Sequence, residues 1–253
     1  MKKLILASAI TAIFASGAAL AQEKKPDNEF SFNIGAASEY RYRGIMQSRG
    51  EPALSGGADY TNNPTGLYAG TWASTIKWID DAGGGAKNVE VDLYGGKKGD
   101  LGKGFGYDVG GLYYWYPGND LDKVAGFENA NTFELYGKIS YGAAYVKYSH
   151  SLTDTFGWVD SKNSNYVDVG YDHDLGSGYT LNLHVGHQEI TGSRNTDYTD
   201  YKIGVSKEFY GVGFSLAYIT TDAESSAYYY STPSGGAKGT GNSTIVLTAT
   251  KTF

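Results

Sequence analysis

The sequence predicts an all-β protein, a transmembrane antiparallel up-and-down β-barrel of about 12 strands that follows a cleaved signal peptide. Three observations predict it. Many short stretches alternate apolar and polar residues with period two, the pattern of a strand with two unlike faces. The connections between those stretches alternate strictly between short and long. No apolar run after the N-terminal segment is long enough to cross a membrane as a helix, while glycine (36) and tyrosine (23) are abundant among the 253 residues. Glycine suits turns and close packing, and tyrosine suits the interfacial belts of a barrel.

Residues 1–21 read as the signal peptide. Lys2 and Lys3 form its charged start, residues 4–14 its apolar run, and Ala19-Leu20-Ala21 its cleavage site. The absence of cysteine excludes a lipidated cysteine anchor, disulfides, thiolate metal sites and thiol nucleophiles. Loss of Lys2 and Lys3 moves the formal charge from −6 to about −8. That acidity argues against nucleic acid as a partner. Residues 22–29 are polar, contain Pro26, and are expected to form a short periplasmic tail, leaving 30–253 for the barrel.

The first barrel strand is expected over residues 30–43. Phe30, Phe32, Ile34, Ala36, Ser38, Tyr40 and Tyr42 would share its apolar face. Ser31, Asn33, Gly35, Ala37, Glu39, Arg41 and Arg43 would share the other. On a tilted strand Phe30 and Tyr40 would lie about 25 Å apart across a membrane, the height of a barrel's apolar band. Phe105 and Trp115 repeat that spacing.

Strands at 53–61 and 66–74 follow, with their faces left open. At 89–95, Val89, Val91 and Leu93 oppose Glu90, Asp92 and Tyr94. At 105–116 a face running from Phe105 to Trp115 opposes one that holds Asp108, Leu112 and Tyr114. At 131–139, Phe133, Leu135 and Ile139 oppose Thr132, Glu134, Tyr136 and Lys138. The strand at 143–150 has no clear register. At 165–172, Val167, Val169 and Tyr171 oppose Tyr166, Asp168 and Asp172. At 179–188, Tyr179, Leu181, Leu183 and Val185 oppose Thr180, Asn182 and His184. At 199–209, Tyr201, Ile203, Val205 and Phe209 oppose Asp200, Lys202, Ser206 and Glu208. At 211–220, Val212, Phe214, Leu216 and Tyr218 oppose Gly213, Ser215 and Ala217. At 243–253, Ile245, Leu247, Ala249, Lys251 and Phe253 oppose Val246 and a ladder of threonines.

Short connections are expected at 62–65, 97–103, 141–142, 174–178 and 210. Long ones are expected at 44–52, 75–88, 117–130, 151–164, 189–198 and 221–242. This alternation fits short periplasmic turns and long extracellular loops, with both termini periplasmic. The last stretch resembles the closing strand of bacterial outer-membrane barrels, where a terminal Phe belongs to the assembly signal, a role this resemblance gives to Phe253. Lys251 departs from that pattern but is placed to snorkel to headgroups. Lys207 and Phe209 repeat the Lys251 and Phe253 pair.

Several blocks point to a family: SEYRYRGIMQS (38–48), PALSGGADY (52–60), GLYAGTWAS (66–74), VEVDLYGGKKG (89–99) and YDVGGLYYWYPG (107–118). They are similar to the TorF-type porin family of Gram-negative outer membranes, a group first described as conserved hypothetical proteins. The pattern S-x-Y-x-x-R-G-x-x-Q-S is the most specific part. The resemblance implies an outer-membrane barrel and a channel, without naming a solute.

Glu39, Arg41 and Arg43 would lie together at the extracellular end of the first strand. They would form either a charged constriction that selects solutes or a brace with acids such as Asp92 or Asp108. Further pore-lining candidates are Asp92, Asp108, Glu134, Lys138, Asp168 and Lys202. Gln47 and Ser48 fall in the first loop with no assigned role. No His-x-Ser arrangement of a barrel lipid hydrolase occurs, so His150, His173, His184 and His187 read as structural or rim residues. The acidic pairs Asp80/Asp81, Asp120/Asp122 and Asp222/Glu224 lack an EF-hand ligand set and read as solvated loop charge, or as a cation bridge to lipopolysaccharide. No metal site or cofactor is expected.

The function that follows is passive diffusion of small hydrophilic solutes or ions through a water-filled lumen in the bacterial outer membrane. Lipid, lipopolysaccharide and the barrel-assembly machinery would be its other partners. Rivals are a plugged structural or adhesive barrel working through its loops, an outer-membrane hydrolase, and a soluble periplasmic binding barrel.

Overall fold

Twelve antiparallel strands close on themselves in the computed structural model of this chain, which describes residues 26–85, 88–193, 195–231 and 237–253. The expected signal peptide and the first residues of the expected tail lie outside the described residues. The barrel strands are β1 (Asn28–Ala37), β2 (Ala53–Asn62), β3 (Leu67–Thr75) and β4 (Val89–Gly102). Next come β5 (Phe105–Trp115), β6 (Thr132–Tyr141), β7 (Ala144–Ser151) and β8 (Asn165–Gly176). The last four are β9 (Tyr179–Glu189), β10 (Tyr198–Phe209), β11 (Val212–Thr221) and β12 (Thr244–Thr252). Each pairs with its neighbours in sequence, and β1 pairs with β12 to close the ring. Closure leaves no unpaired edge, the condition for crossing a bilayer with strands.

Alternation then fixes two surfaces. Phe32, Ile34, Leu93, Leu135, Ile203, Leu216 and Ile245 are exposed on the outside. Phe105 and Trp115 both lie on that exposed face, in line with their spacing. Ser55, Gly57, Asp59, Tyr68, Gly70, Trp72 and Ser74 settle the open register of β2 and β3: they face inward, opposite the exposed Leu54 and Leu67. In β7 Lys147 and Ser149 are buried, while Val146 and Tyr148 are exposed.

Five short turns, at 63–66, 103–104, 142–143, 177–178 and 210–211, share one end with the N-terminal residues. Three are two-residue turns with positive φ at both positions, Lys103-Gly104, Ser177-Gly178 and Tyr210-Gly211. Paired left-handed residues mark the type I′ hairpin, whose twist matches the strands it joins. The connections 38–52, 76–88, 116–131, 152–164, 190–197 and 222–243 are longer and gather at the other end.

The structure corrects three expectations. β1 ends at Ala37, not at residue 43, and Tyr40 folds inward instead of forming a second outer belt with Phe30. The turn at Arg43 (φ 47°) and Gly44 (φ 76°) reverses the chain, and buried polar partners draw it into the lumen. β4 runs on to Gly102 and β8 to Gly176, through stretches whose glycines and aspartates read as turns. In each, an aspartate carboxylate accepts a backbone N–H two residues on at a bulge: Gly102 N to Asp100 (2.5 Å) and Gly176 N to Asp174 (2.7 Å).

The buried apolar cluster sits at the long-loop end. Ile76, Ile79, Leu112, Tyr114, Tyr116, Leu121 and Ala130 form it. Ile79 lies in the one-turn helix Trp78–Asp81 and Leu121 in the 3₁₀ turn Leu121–Lys123. This cap holds the loops that shape the mouth.

Candidate functional site

Strand parity turns one side chain in two toward the lumen, and the residue types make two unlike walls. Along β11, β12 and β1 the inward residues are small, including Gly213, Ser215, Ala217, Thr248, Thr250, Ser31 and Gly35. Across from them stand long polar side chains. The Tyr94 hydroxyl donates to Asp59 (2.6 Å), that of Tyr68 to Asp108 (2.5 Å), and that of Tyr145 to Asp168 (3.1 Å). Tyr68 also bonds Tyr136. Open space lies beside the small wall. There a cavity of about 440 Å³ runs between Ser215, Ala217 and Thr248 on one side and Arg41, Lys147, Asp168 and Lys202 on the other.

The mouth of this cavity is made by residues 38–52, which leave the sheet and enter the barrel. Ser38 N donates to the Leu247 carbonyl (2.8 Å), and Leu247 N donates to Ser38 Oγ (3.0 Å). Past this anchor the chain forms a two-residue antiparallel pair, Arg41–Tyr42 with Ile45–Met46. Gly44 makes the reversal possible. A Cβ there would stand 2.4 Å from Thr221 Cγ2 and 2.7 Å from Asp200 Cβ. The Tyr40 hydroxyl donates to Glu90 (2.7 Å) and its backbone N–H to Ser48 Oγ (2.9 Å). The Gln47 carbonyl accepts from Lys77 N (2.8 Å) and Trp78 N (3.2 Å), tying this loop to the next.

Arg43 projects from the tip of the pair. Its guanidinium donates to Glu134 (2.7 Å) and Gln188 (2.6 Å) and lies over the ring of Tyr166, 4.2 Å from its centroid. Arg41 pairs with Glu39 and donates to the carbonyls of Gly44 (2.9 Å), Thr240 (2.9 Å) and Asn242 (2.8 Å). The two arginines therefore stand on a loop, not a strand face. Their acids are Glu39 and Glu134, and neither Asp92 nor Asp108, named as examples for a brace, pairs with them among the described residues.

The other candidates are spread round the barrel. Asp92 is buried two residues on from Glu90, and its Oδ1 has no partner among the described residues. Lys138 Nζ lies 5.4 Å from the Tyr145 ring centroid. Lys202 makes no ion pair among the described residues. Asp168 belongs to a group that sequence reasoning did not assemble. His184 Nδ1 is 2.9 Å from Asp168, its Nε2 is 2.7 Å from Asp200, and the Tyr166 hydroxyl donates to Asp200 (2.7 Å). The signal was present: these residues have inward parity on β8, β9 and β10, which are consecutive. His150 and His173 stack on Tyr148 and Tyr171, and His187 bonds Thr199 (3.1 Å).

Loop acids have local partners. Asp81 pairs with Arg49, Asp120 with Lys123 (2.9 Å), and Asp222 accepts from Thr199 N (2.6 Å). Among the described residues no group of three acidic or histidine side chains could hold a metal ion. Phe253 is exposed on the outer surface, and its backbone exchanges two hydrogen bonds with Phe32 (2.8 and 3.2 Å).

The fold is similar to that of the KdgM porin, with a TM-score of 0.54 at 7% identity, over 88% of this chain and 99% of that one. The KdgM porin in complex with disordered oligogalacturonate gives 0.53 at 6% identity over the same shares. At these identities the likeness concerns the fold alone. LpxR from Salmonella typhimurium, at a TM-score of 0.40 and 11% identity, is too distant to carry an argument. No curated protein matches the sequence. A family model described as a bacterial protein of unknown function (Gcw_chp) matches residues 21–253.

Proposed function

The chain belongs to the Gcw_chp family of bacterial proteins of unknown function, and from that premise we propose that it is an outer-membrane channel for passive diffusion of small hydrophilic solutes or ions. One observation carries the reading. An apolar outer surface encloses a lumen lined by hydroxyl, carboxylate and ammonium groups, with about 440 Å³ of open space along its small-residue wall. A bilayer accepts the first surface, and only water or a hydrated solute suits the second. The likeness in fold to a porin and the TorF-type sequence blocks support the same reading. Solute would pass between the small wall and residues 38–52, with Arg41, Arg43, Asp168 and Lys202 as the charges it meets.

The test is a planar-bilayer recording on the refolded, correctly assembled barrel. Discrete conductance steps are expected. A silent wild type retires the channel reading. A second reading, a plugged barrel that works through its loops, is favoured by the buried Arg43–Glu134 pair at the mouth. It is supported if wild type is silent and a variant lacking residues 40–47 conducts. A lipid-hydrolysis assay on the same preparation is expected to be blank.

A further inference from the structure

Outside the lumen, the loops enclose a second cavity of about 150 Å³ that the diffusion path does not require. About half of the residues that line it are aromatic. Trp78 packs edge-on to Tyr116 (5.4 Å between centroids), and Trp158 packs edge-on to Tyr228 (5.7 Å). Tyr229 stands 51% exposed at its rim. Tyr42 and Arg43 line this cavity and the luminal one alike, so they form the partition between the two. Whatever occupies the outer cavity sits at the entrance to the lumen.

The lining chemistry narrows the occupant. A cavity near 150 Å³ takes about one six-membered ring. Aromatic walls favour a flat face of C–H groups, and a cation would also find such walls attractive. Two guanidiniums, Arg43 and Arg49, line the cavity, and the one carboxylate among the lining residues, Asp81, is held by Arg49, which leaves a cation no free counter-charge. The guanidinium charges are already answered by Glu134 and by Asp81, so an anion has little to gain either. A wholly apolar ring does not fit the donors on this wall. The polar part of the wall, which includes Gln47, Arg49, Asp81, Gln188 and Thr240, suits hydroxyls that both donate and accept. We propose that the outer cavity is a binding site for one pyranose ring of a neutral oligosaccharide, held at the entrance to the lumen. The entrance role rests on the channel reading; the binding itself does not.

The test is tryptophan fluorescence of the folded protein in detergent, titrated with maltotriose, since Trp78 and Trp158 are two of four tryptophans. A saturable change is expected, weaker by about three- to tenfold in Tyr229→Ala, which removes one exposed ring. Choline and a uronic-acid trisaccharide are expected to bind more weakly than maltotriose. Trp158→Ala serves as a second variant, its assembly checked by gel mobility without boiling. No saturable response to maltotriose in an assembled barrel overturns the proposal, as does tighter binding of choline. Equal affinity in wild type and both variants overturns it too, by placing the sugar elsewhere. Binding by a barrel that does not conduct keeps the site and removes the channel; conduction without binding does the reverse.

Discussion

Arg43 joins the mouth of the barrel to its wall. Removing one partner of a buried ion pair leaves a stranded charge, at a cost of about 3–5 kcal/mol. Arg43→Gln retains a donor for Gln188 but leaves Glu134 uncompensated. The variant is expected to assemble with a lower melting temperature. We further expect the double variant Arg41→Gln/Arg43→Gln to move the reversal potential in a salt gradient toward cations. The shift should be larger at low salt, where screening is weak. An unchanged reversal potential would make both arginines braces. Alternation alone put Arg43 in the lumen by the wrong route, because parity carried past Ala37 cannot register a turn at Gly44. The block SEYRYRGIMQS was legible as the most specific part of the chain. What was not legible is that Ser38, Tyr40, Arg43, Gly44 and Gln47 are the residues that dock this loop inside. Their partners Leu247, Glu90, Glu134, Asp200 and Trp78 lie far away in sequence.

Strands were readable where lipid and water impose opposite demands on neighbouring residues, as in β10 and β11. The ends of β4 and β8 were not, because pairing with the next strand overrides the turn preference of Asp and Gly. The seam between β1 and β12 is the element on which closure depends. Phe253 adds two backbone bonds to it and an exposed ring on the outer face, with Lys251 Nζ 5.1 Å from that ring. Lys207 makes the matching contact on β10, 4.9 Å from the Phe209 ring, and also lies 3.8 Å from the ring of Tyr179 on β9. Deleting Phe253 is expected to lower the yield of assembled barrel severalfold and to leave export unchanged if, as the sequence leads us to expect, residues 1–21 direct export. The amounts of exported and heat-modifiable protein measure the two effects separately. Normal assembly of the deletion would detach the seam from any signalling role.

At the scale of the whole molecule, a closed ladder without edges resists opening, since no strand can be peeled away without breaking two neighbours. The mature protein is expected to fractionate with the outer membrane and to migrate differently in detergent gels with and without boiling. Recovery in the soluble periplasmic fraction with no such shift would sink the membrane assignment. The inward loop also imposes a sequence of events. Ser38 and Arg41 are synthesised early, yet their partners Leu247, Thr240 and Asn242 come some 200 residues later, the recorded separations being 209, 199 and 201. Contacts at such separation carry a loop-closure cost that ordering of the intervening strands reduces. The loop is therefore expected to seat no earlier than the seam between β1 and β12, whose pairs lie as far apart in sequence, closes. Where closure comes first, a newly closed barrel would pass through a hollow stage, wider at its mouth than the finished protein, before its first-made loop falls into place.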